Sequence, residues 1–248
     1  MSDNFHEHEH DFTEAHYREL LRLAKQHYRF VTFTEEESEE KSVLWRHDLD
    51  FSPQRALRLA QIEAEEGIRA TYFVLLHSEF YNALEREVVR VVQDVAALGH
   101  AIGLHFDPQF YGATGELDAL LRLERHLLQT TLGLPIDAFS WHNPSQGDWI
   151  ESTHAASIGG MVNAYSRAIR ERFSYISDSH GVWRFRRLRD VLAAAEERHL
   201  HVLTHPEWWM PEAMPPRDRI TRAIDGRAAR NERFYDEVLA AIGRPNGR

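Results

Sequence analysis

The 248-residue chain contains no cysteine. This absence excludes disulfide bonds and thiolate metal sites, so any bound metal must be held by histidine, aspartate or glutamate. The chain also has no run approaching the roughly 20 apolar residues that cross a bilayer. Its formal net charge of −10 argues against wholesale nucleic-acid binding and leaves only a local basic patch open.

The first ten residues have neither a basic segment nor an apolar run, so they do not resemble a signal peptide. We therefore expect a cytoplasmic protein. His6, His8 and His10 alternate with glutamates in this segment. We interpret the segment as a solvated terminus, with adventitious metal binding as the alternative.

The stretch that organises the chain covers residues 43–50 (VLWRHDLD), where an apolar, β-prone segment turns abruptly into charge. Ser52 and Pro53 then suit the N-cap and first position of a helix. The pattern predicts a strand, a turn and a helix, with Asp48 and Asp50 on one side of the strand's carboxyl end. Two ionised carboxylates this close repel, which a cation or a shared proton relieves. The alternative is a helix N-terminus that merely favours negative charge.

Strand-like and helix-like segments alternate along the rest of the chain. Further strands are predicted at about residues 28–33, 70–76, 100–107, 137–142, 160–165, 173–178 and 201–205. Helices are predicted at about residues 12–28, 52–66, 82–98, 114–132, 188–198 and 217–242. Such alternation implies parallel strands joined by right-handed crossovers. We expect one α/β domain over residues 1–248, a distorted (β/α) barrel of about seven strands, with an open sheet as the alternative.

Histidine and aspartate recur where the predicted strands end, at Asp48, Asp50, His105, Asp107, His142, Asn143, Asp178 and His205. In a barrel that rim carries the chemistry. Imidazoles and carboxylates without thiolates suit Zn²⁺, Fe²⁺, Mn²⁺ or Co²⁺. A metal with three protein ligands lowers the pKa of a bound water and polarises a carbonyl. A spare carboxylate and a spare histidine then serve as base and acid, which indicates hydrolysis of an amide or ester.

Four motifs share an order and spacing with a known family: residues 46–50 (RHDLD), 67–74 (GIRATYFV), 99–105 (GHAIGLH) and 203–205 (LTH). They resemble the polysaccharide deacetylases of the NodB-homology type, carbohydrate esterase family 4. More narrowly, they resemble the branch with His-Asp-Val-Asp in place of Thr-Phe-Asp-Asp, which includes WbmS-like O-antigen deacetylases. The resemblance covers roughly residues 43–209. It implies a distorted barrel, one divalent metal ion with zinc as first candidate, and N-deacetylation of a sugar.

The resemblance implies that Asp48 is the catalytic base and Asp50 a metal ligand, although the inserted Leu49 leaves the swapped roles open. His205 matches the family's Leu-x-His motif and is the implied general acid. Asp178 matches, loosely, the acidic residue that orients this histidine. A second motif of the family supplies two histidine ligands.

Only the first of those two histidines is present, as His105, because Gln109 stands at the second position. We take His142 at the next strand end as the replacement ligand, with Asp107 as the second choice. Asp107 and Asn143 are otherwise expected to bind substrate.

Aromatic residues near the last motif are candidates for binding a sugar ring. Trp208 and Trp209 follow His205 and would stack on a sugar, with packing inside the barrel as the equal alternative. Trp141 and Trp149 would join them if they line the pocket. Two further histidines, His47 and His100, point away from the rim or lie at the other end of a strand, and we interpret them as structural.

Three hypotheses follow from the sequence. The first is a metal-dependent sugar N-deacetylase acting on a cytoplasmic nucleotide-linked, lipid-linked or O-antigen intermediate. The second is another amide hydrolase on the same scaffold. The third is a degenerate member that binds a glycan or a metal without turnover, which Gln109 favours and the retention of Asp48, Asp50 and His205 disfavours. The sequence makes no prediction of oligomeric state.

Overall fold

The computed structural model describes residues 9–35, 39–112, 116–143 and 154–247. Its strands are β1 Arg29–Val31, β2 Ser42–Leu49, β3 Thr71–Leu75, β4 Ala101–Phe106, β5 Ala138–Trp141, β6 Ser157–Ile158, β7 Met161–Asn163, β8 Ser174–Ser179, β9 Val182–Trp183 and β10 His199–Thr204. Its α-helices are α1 Glu14–Lys25, α2 Pro53–Glu65, α3 Arg86–Ala97, α4 Pro108–Tyr111, α5 Leu117–Leu132, α6 Arg167–Arg172, α7 Leu188–Ala194 and α8 Pro216–Ala241. Short 3₁₀ turns cover Glu9–Phe12 and Pro206–Trp208.

The strands form one sheet around a central run of seven parallel neighbours, β7-β5-β4-β3-β2-β10-β8. Strands β6 and β9 add antiparallel edges to its two ends. Strand β1 pairs with the first half of β2, and β3 pairs with the second half. Parallel strands with helices between them confirm the predicted α/β class and are consistent with a distorted barrel.

The sheet curls so that side chains from its two ends meet. The hydroxyl of Tyr165, just after β7, lies 3.4 Å from that of Tyr175 in β8. A small apolar cluster gathers residues from across the concave face: Val31, Phe33, Leu44, Phe73, Ala138 and Ala164. A larger, separate cluster fills the space between the strands and the helices. The concave face therefore forms a packed barrel interior.

Strand β2 is buried along its whole length, and its two faces have different neighbours. Arg46 and Asp48 share one face, while His47 on the other face contacts Glu63 of α2. The register with β10 pairs His47 with Thr204. The residues that follow each strand therefore leave the sheet side by side, which places Asp50 near His205.

Several helices begin or end at residues other than those predicted from the sequence. The helix predicted from Asn82 begins at Arg86, with Glu85 as its N-cap. Asn82 instead accepts a hydrogen bond from the Leu84 N–H at 3.0 Å in a local turn, and Leu84 is 50% exposed. Asparagine side chains compete for backbone groups in this way, so a cap-like residue can mark a turn before the helix.

Other boundaries differ for similar local reasons. The helix predicted to reach residue 198 ends at Ala194, because Ala195 adopts a left-handed conformation. The helix predicted from residue 114 is described from Leu117, and the one-turn helix α4 before it was not predicted. His6, His8, Thr114 and Trp149 lie outside the described residues.

The two terminal helices differ in how they meet the sheet. Helix α1 buries Tyr17, Leu20, Leu21 and Ala24. Helix α8 buries only Arg219, and most of its length is exposed. None of the helices in the described ranges is both long enough and apolar enough to cross a bilayer.

Candidate active site

Three side chains from the ends of strands β2, β4 and β5 converge at the carboxyl rim of the sheet. Asp50 follows β2, His105 lies in β4 and His142 follows β5. One ligand atom from each lies within 4.8 Å of the other two. These are the three residues that we predicted from the sequence as metal ligands. The register of the parallel strands brings them together.

His105 is oriented by a serine on the neighbouring strand. Its Nδ1 lies 2.7 Å from Ser140 Oγ, and the β4–β5 register pairs these two residues directly. Its Nε2 lies 3.3 Å from an oxygen of Asp50 and 3.6 Å from one of Asp48. A hydrogen bond at one ring nitrogen fixes the direction of the other, so Nε2 is the nitrogen presented to the carboxylates.

The protonation state of Asp50 suits a cation. Burial alone raises the pKa of this carboxyl, but the imidazoles of His105, His205 and His142 lower it well below its usual range. Asp50 Oδ1 is buried and faces His105 Nε2 at 3.3 Å, without a hydrogen bond of acceptable geometry within the described residues. A buried ionised oxygen that lacks a well-formed hydrogen bond is costly unless a cation or a donor meets it. One oxygen and two imidazole nitrogens match the donor set of a catalytic Zn²⁺ site, so these residues fit a divalent metal.

Asp107 and Asn143 flank His142 outside this triad. Asp107 Oδ2 lies 3.5 Å from His142 Nδ1, and Asn143 Nδ2 lies 3.1 Å from His142 Nε2. Burial alone raises the pKa of Asp107, but the His142 contact lowers it below the usual value. Burial alone lowers the pKa of His142, but the carboxylates of Asp107 and Asp50 raise it above its usual value. Gln109, at the position of the missing histidine, lies on the wall of the same cavity.

Asp48 is held inside the barrel by the positive charge of Arg46, a residue to which we had assigned no role from the sequence. Arg46 Nη2 donates to Asp48 Oδ2 at 2.8 Å and contacts the Tyr165 hydroxyl at the same distance. Ser140 Oγ lies 3.4 Å from the other oxygen of Asp48. Two-residue alternation along a strand puts Arg46 and Asp48 on one face, so the spacing already contained this signal.

His205 and Asp178 form a second ion pair, on the other side of Asp50. Asp178 accepts from His205 Nδ1 and from the His205 backbone N–H, the latter at 3.0 Å. His205 Nε2 lies 3.7 Å from Asp50 Oδ2. Burial alone lowers the pKa of His205, but Asp178 raises it well above its usual value. The imidazole is therefore a proton donor with a fixed orientation.

A cavity of about 690 Å³ opens over this rim. The predicted site residues on its wall are Asp50, Asp107, His142, Asn143, His205 and Trp208. His105 and Asp178 lie behind the wall, in contact with Asp50 and His205 respectively. Asp48 lies deeper, in contact with His105.

Two of the tryptophans considered for sugar stacking lie in the core. Trp209 is 0% exposed, packs on Phe12 and Tyr17, and donates to Thr204 Oγ1 at 2.7 Å. Trp141 is also buried, against Phe106. Trp209 therefore matches the packing alternative, and Trp141 does not line the cavity. Trp208 is also buried, at 6% exposed, but it lies on the cavity wall.

Glu207 was missed by the sequence analysis. It lines the cavity two residues after His205, yet it is only 1% exposed. Neither of its carboxyl oxygens has a hydrogen-bond partner among the described residues. Burial raises the pKa of Glu207 well above its usual value, which favours the neutral form of this carboxyl at the edge of the site. No sequence signal other than its closeness to His205 marks it.

The two histidines interpreted as structural lie away from the rim. His47 Nε2 is 2.7 Å from Glu63 Oε1. His100 Nε2 lies 3.0 Å from the Ala60 carbonyl, and its Nδ1 accepts from the Ala70 N–H at 3.2 Å. Both imidazoles therefore pack between the sheet and helix α2.

Comparison with known proteins finds similarity only among solved structures. No family model and no curated protein matches the chain. A family 4 carbohydrate esterase from Bacillus anthracis is 13% identical with a TM-score of 0.45, over 87% of this chain and 86% of that one. The chitin deacetylase of Colletotrichum lindemuthianum is 13% identical with a TM-score of 0.46, over 80% and 86%. A family 4 pseudoenzyme from Bacillus anthracis is 13% identical with a TM-score of 0.45, over 80% and 63%. At this distance, they show only what the chain resembles.

Proposed function

We propose that this protein is a metal-dependent hydrolase that removes an N-acetyl group from a sugar. The observation that carries the proposal is the convergence of Asp50, His105 and His142 within 4.8 Å beside two ion-paired groups, Asp48 and His205. A divalent cation held by the triad, with Zn²⁺ as first candidate, would activate a water molecule and polarise the acetamido carbonyl.

The chain's own residues supply the proton transfers. Asp48, buried and paired with Arg46, accepts a proton from the attacking water. His205, held by Asp178, donates a proton to the departing amine. Asp107 and Asn143, beside His142 on the cavity wall, and Trp208 position the sugar. The products are acetate and a free amino sugar.

The setting of the reaction comes from the sequence resemblance. The His-Asp-Leu-Asp motif at residues 47–50 resembles that of WbmS-like deacetylases, so we place the reaction in cytoplasmic polysaccharide or O-antigen synthesis. The rival is a family member without turnover, as in the Bacillus anthracis pseudoenzyme. Gln109 was the reason to consider it. His142 lies beside Asp50 and His105, where it could take the place of the histidine that Gln109 replaces, and this supports the catalytic alternative.

Acetate release from N-acetylglucosamine oligomers tests the proposal, with Asp48→Asn as the decisive variant. The substitution keeps the shape of the side chain and removes its basicity. We expect turnover to fall by about 10² to 10⁴ with metal content unchanged. Asp190→Asn, an exposed substitution at the start of α7, is the matched control and retains parental turnover. Equal activity of Asp48→Asn and the parent would remove Asp48 as the base, and an inactive metal-loaded parent would favour the pseudoenzyme.

A further inference from the structure

A second pocket lies beside the cavity over the rim. Its volume is about 260 Å³, and Phe51 and Phe80 line both cavities. The centroids of these two rings are 4.0 Å apart. Phe51 directly follows Asp50 in the chain. The pair of rings is therefore a wall that the second pocket shares with the cavity of the proposed metal site.

Arginine dominates the polar lining of the second pocket. One arginine comes from α2 and four come from α8: Arg55, Arg222, Arg227, Arg230 and Arg233. Among the described residues, Glu87 is the only carboxylate on this wall. The cavity over the rim has the opposite composition, because four carboxyl side chains and no described arginine or lysine line it. The two cavities therefore offer different charges to the two ends of a ligand that extends past Phe51 and Phe80.

Carboxylates around the second pocket neutralise only part of its charge. Glu212 contacts Arg222 at 2.7 Å, and Glu85 contacts Arg227 and Arg230 at 2.6 Å and 3.1 Å. Glu87 pairs with Arg230, and Glu14 is shared between Arg55 and Arg58, at 2.8 Å from each. With Arg233 included, six arginines face these four carboxylates. Arg55 Nε is also buried without a hydrogen-bond partner within the described residues. Positive charge and an unsatisfied donor therefore remain for an anion.

The arginines of α8 surround a glycine that neither the backbone nor the packing requires. Gly226 lies one turn from Arg222 and one turn from Arg230, and all three line the pocket. Glycine inside a helix is unfavourable, and Gly226 does not have the positive φ that would favour it. A Cβ atom at this position would meet no heavy atom within 4 Å. The missing side chain therefore leaves space in the pocket and relieves no clash.

We infer that this arginine-lined pocket binds a phosphate or diphosphate group that the substrate carries on its acetamido sugar. The inference rests on the proposed deacetylase function and specifies its substrate class as phosphate-linked sugars. Guanidinium groups present paired N–H donors that match phosphate oxygens, and the first turn of α2, which also lines the pocket, favours an anion. With the phosphates among the arginines, the sugar lies on the other side of Phe51, towards Asp50. A nucleotide and a lipid carrier would both supply this group.

Calorimetric titration with inorganic pyrophosphate tests the pocket, with Gly226→Leu as the blocking variant. Leucine is a better helix former than glycine and would fill the space between the arginines. We expect pyrophosphate affinity to fall at least tenfold in Gly226→Leu. Ala228→Leu adds similar bulk at an exposed position of α8 outside the pocket and keeps the parental affinity. Pyrophosphate bound to a metal at the rim would be unaffected by either change, so equal binding in both variants overturns the inference.

The preference for a phosphate-linked sugar tests the role of the arginines in turnover. In the parent, kcat/KM is expected to be higher for UDP-N-acetylglucosamine than for N-acetylglucosamine. Arg222→Gln combined with Arg233→Gln lowers this ratio about tenfold, because two cationic donors to phosphate are lost. The charge-matched control combines Arg217→Gln with Arg244→Gln, two exposed positions outside the pocket, and keeps the ratio. An equal fall in both pairs would assign the effect to net charge and contradict the subsite.

The two readouts separate this inference from the proposed function. Pyrophosphate binding that is lost in Gly226→Leu supports the pocket even if the parent releases no acetate. Acetate release together with equal pyrophosphate binding in the parent and Gly226→Leu overturns the pocket and leaves the deacetylase standing. Tighter binding of UDP-N-acetylglucosamine than of a short-chain prenyl diphosphate N-acetylglucosamine identifies a nucleotide carrier, and the reverse order identifies a lipid carrier. Tighter binding of an N-acetylglucosamine–glucuronate disaccharide than of both, lost in Gly226→Leu, would assign the arginines to a carboxylate and overturn the inference.

Discussion

Each side chain to which we assign a proton-transfer or metal-binding role at the rim has a neighbour that supports the proposed role. Arg46 pairs with Asp48, Asp178 pairs with His205, and the rim imidazoles hold Asp50 as a carboxylate. Roles therefore differ among chemically similar residues because their partners differ. This is the usual way in which one site contains both a base and an acid at the same pH.

The pH dependence of stability tests the environment of the buried carboxyl of Glu124. Burial raises the pKa of Glu124 from 4.5 to about 7 in the folded state. Between these values the folded protein holds a proton that the unfolded chain has released, so stability decreases as pH rises through that window. The shift corresponds to about 3 kcal/mol. We expect Glu124→Gln, which imitates the protonated acid, to remove this decrease and to be the more stable form at pH 8.

Urea denaturation from pH 4 to pH 8 measures the effect. Glu116→Gln, an exposed substitution just before the same helix, is the control and keeps the parental pH dependence. A parallel pH dependence for Glu124→Gln and the parent would show that Glu124 titrates at its ordinary pKa.

Strand-end residues were predictable from sequence, and their depth was not. Asp50, His105 and His142 each follow or end a recognisable apolar run, and parallel register then brings them together. Trp209 also follows such a run, yet it lies in the core. Glu207 reaches the cavity although nothing in its spacing indicates this. Side-chain depth depends on how the loops fold back over the rim, which local patterns do not encode.

The buried carboxylate of Glu63 joins two helices to the strands behind the site. Glu63 of α2 accepts hydrogen bonds from Tyr17 of α1 and from Tyr72 of β3 at 2.6 Å, and it contacts His47 of β2. All four residues are fully buried. Burial alone raises the pKa of Glu63, but His47 and its other partners bring it below the usual value.

Removing that carboxylate leaves several buried polar groups without a partner. We expect Glu63→Ala to lower the free energy of unfolding by about 3–5 kcal/mol. Glu65→Ala, on the exposed side of the same helix, removes only a surface ion pair with Arg18 and should cost less than about 1 kcal/mol. Urea unfolding of the two variants gives the comparison, and equal losses would contradict a connecting role for Glu63.

Strands and helices were predictable from the sequence where burial requires a long, regular pattern of apolar residues. Strands β2 and β3 are continuous apolar or inward-facing runs, and helix α2 has both its cap and its proline in place. The start of α3 was misplaced because Asn82 and Glu85 have the spacing of a capping box, whereas in the structure Asn82 closes a turn and Glu85 is the N-cap. Local hydrogen-bonding options compete at such boundaries, and tertiary packing decides between them.

For the whole molecule, alternation of strands and helices was enough to predict a parallel α/β sheet. The way the sheet closes was not predictable, because it depends on side chains such as Tyr165 and Tyr175 meeting across its ends. The closure of the sheet matters for the proposed function because Arg46, inside the barrel, contacts both Asp48 and Tyr165. The barrel interior thus supports the proposed base, and the rim supplies the proposed metal ligands.

The number of metal ions bound per chain tests the proposed metal site of Asp50, His105 and His142. Parent, Asp50→Ala, His142→Ala and His180→Asn are equilibrated with Zn²⁺, and bound metal per chain is measured by elemental analysis. His180 is a cavity histidine outside the triad, and asparagine tolerates its left-handed backbone. We expect one metal ion in the parent and in His180→Asn, and loss of binding in the Asp50 and His142 variants. A metal-free parent, or undiminished binding in His142→Ala, would contradict the account.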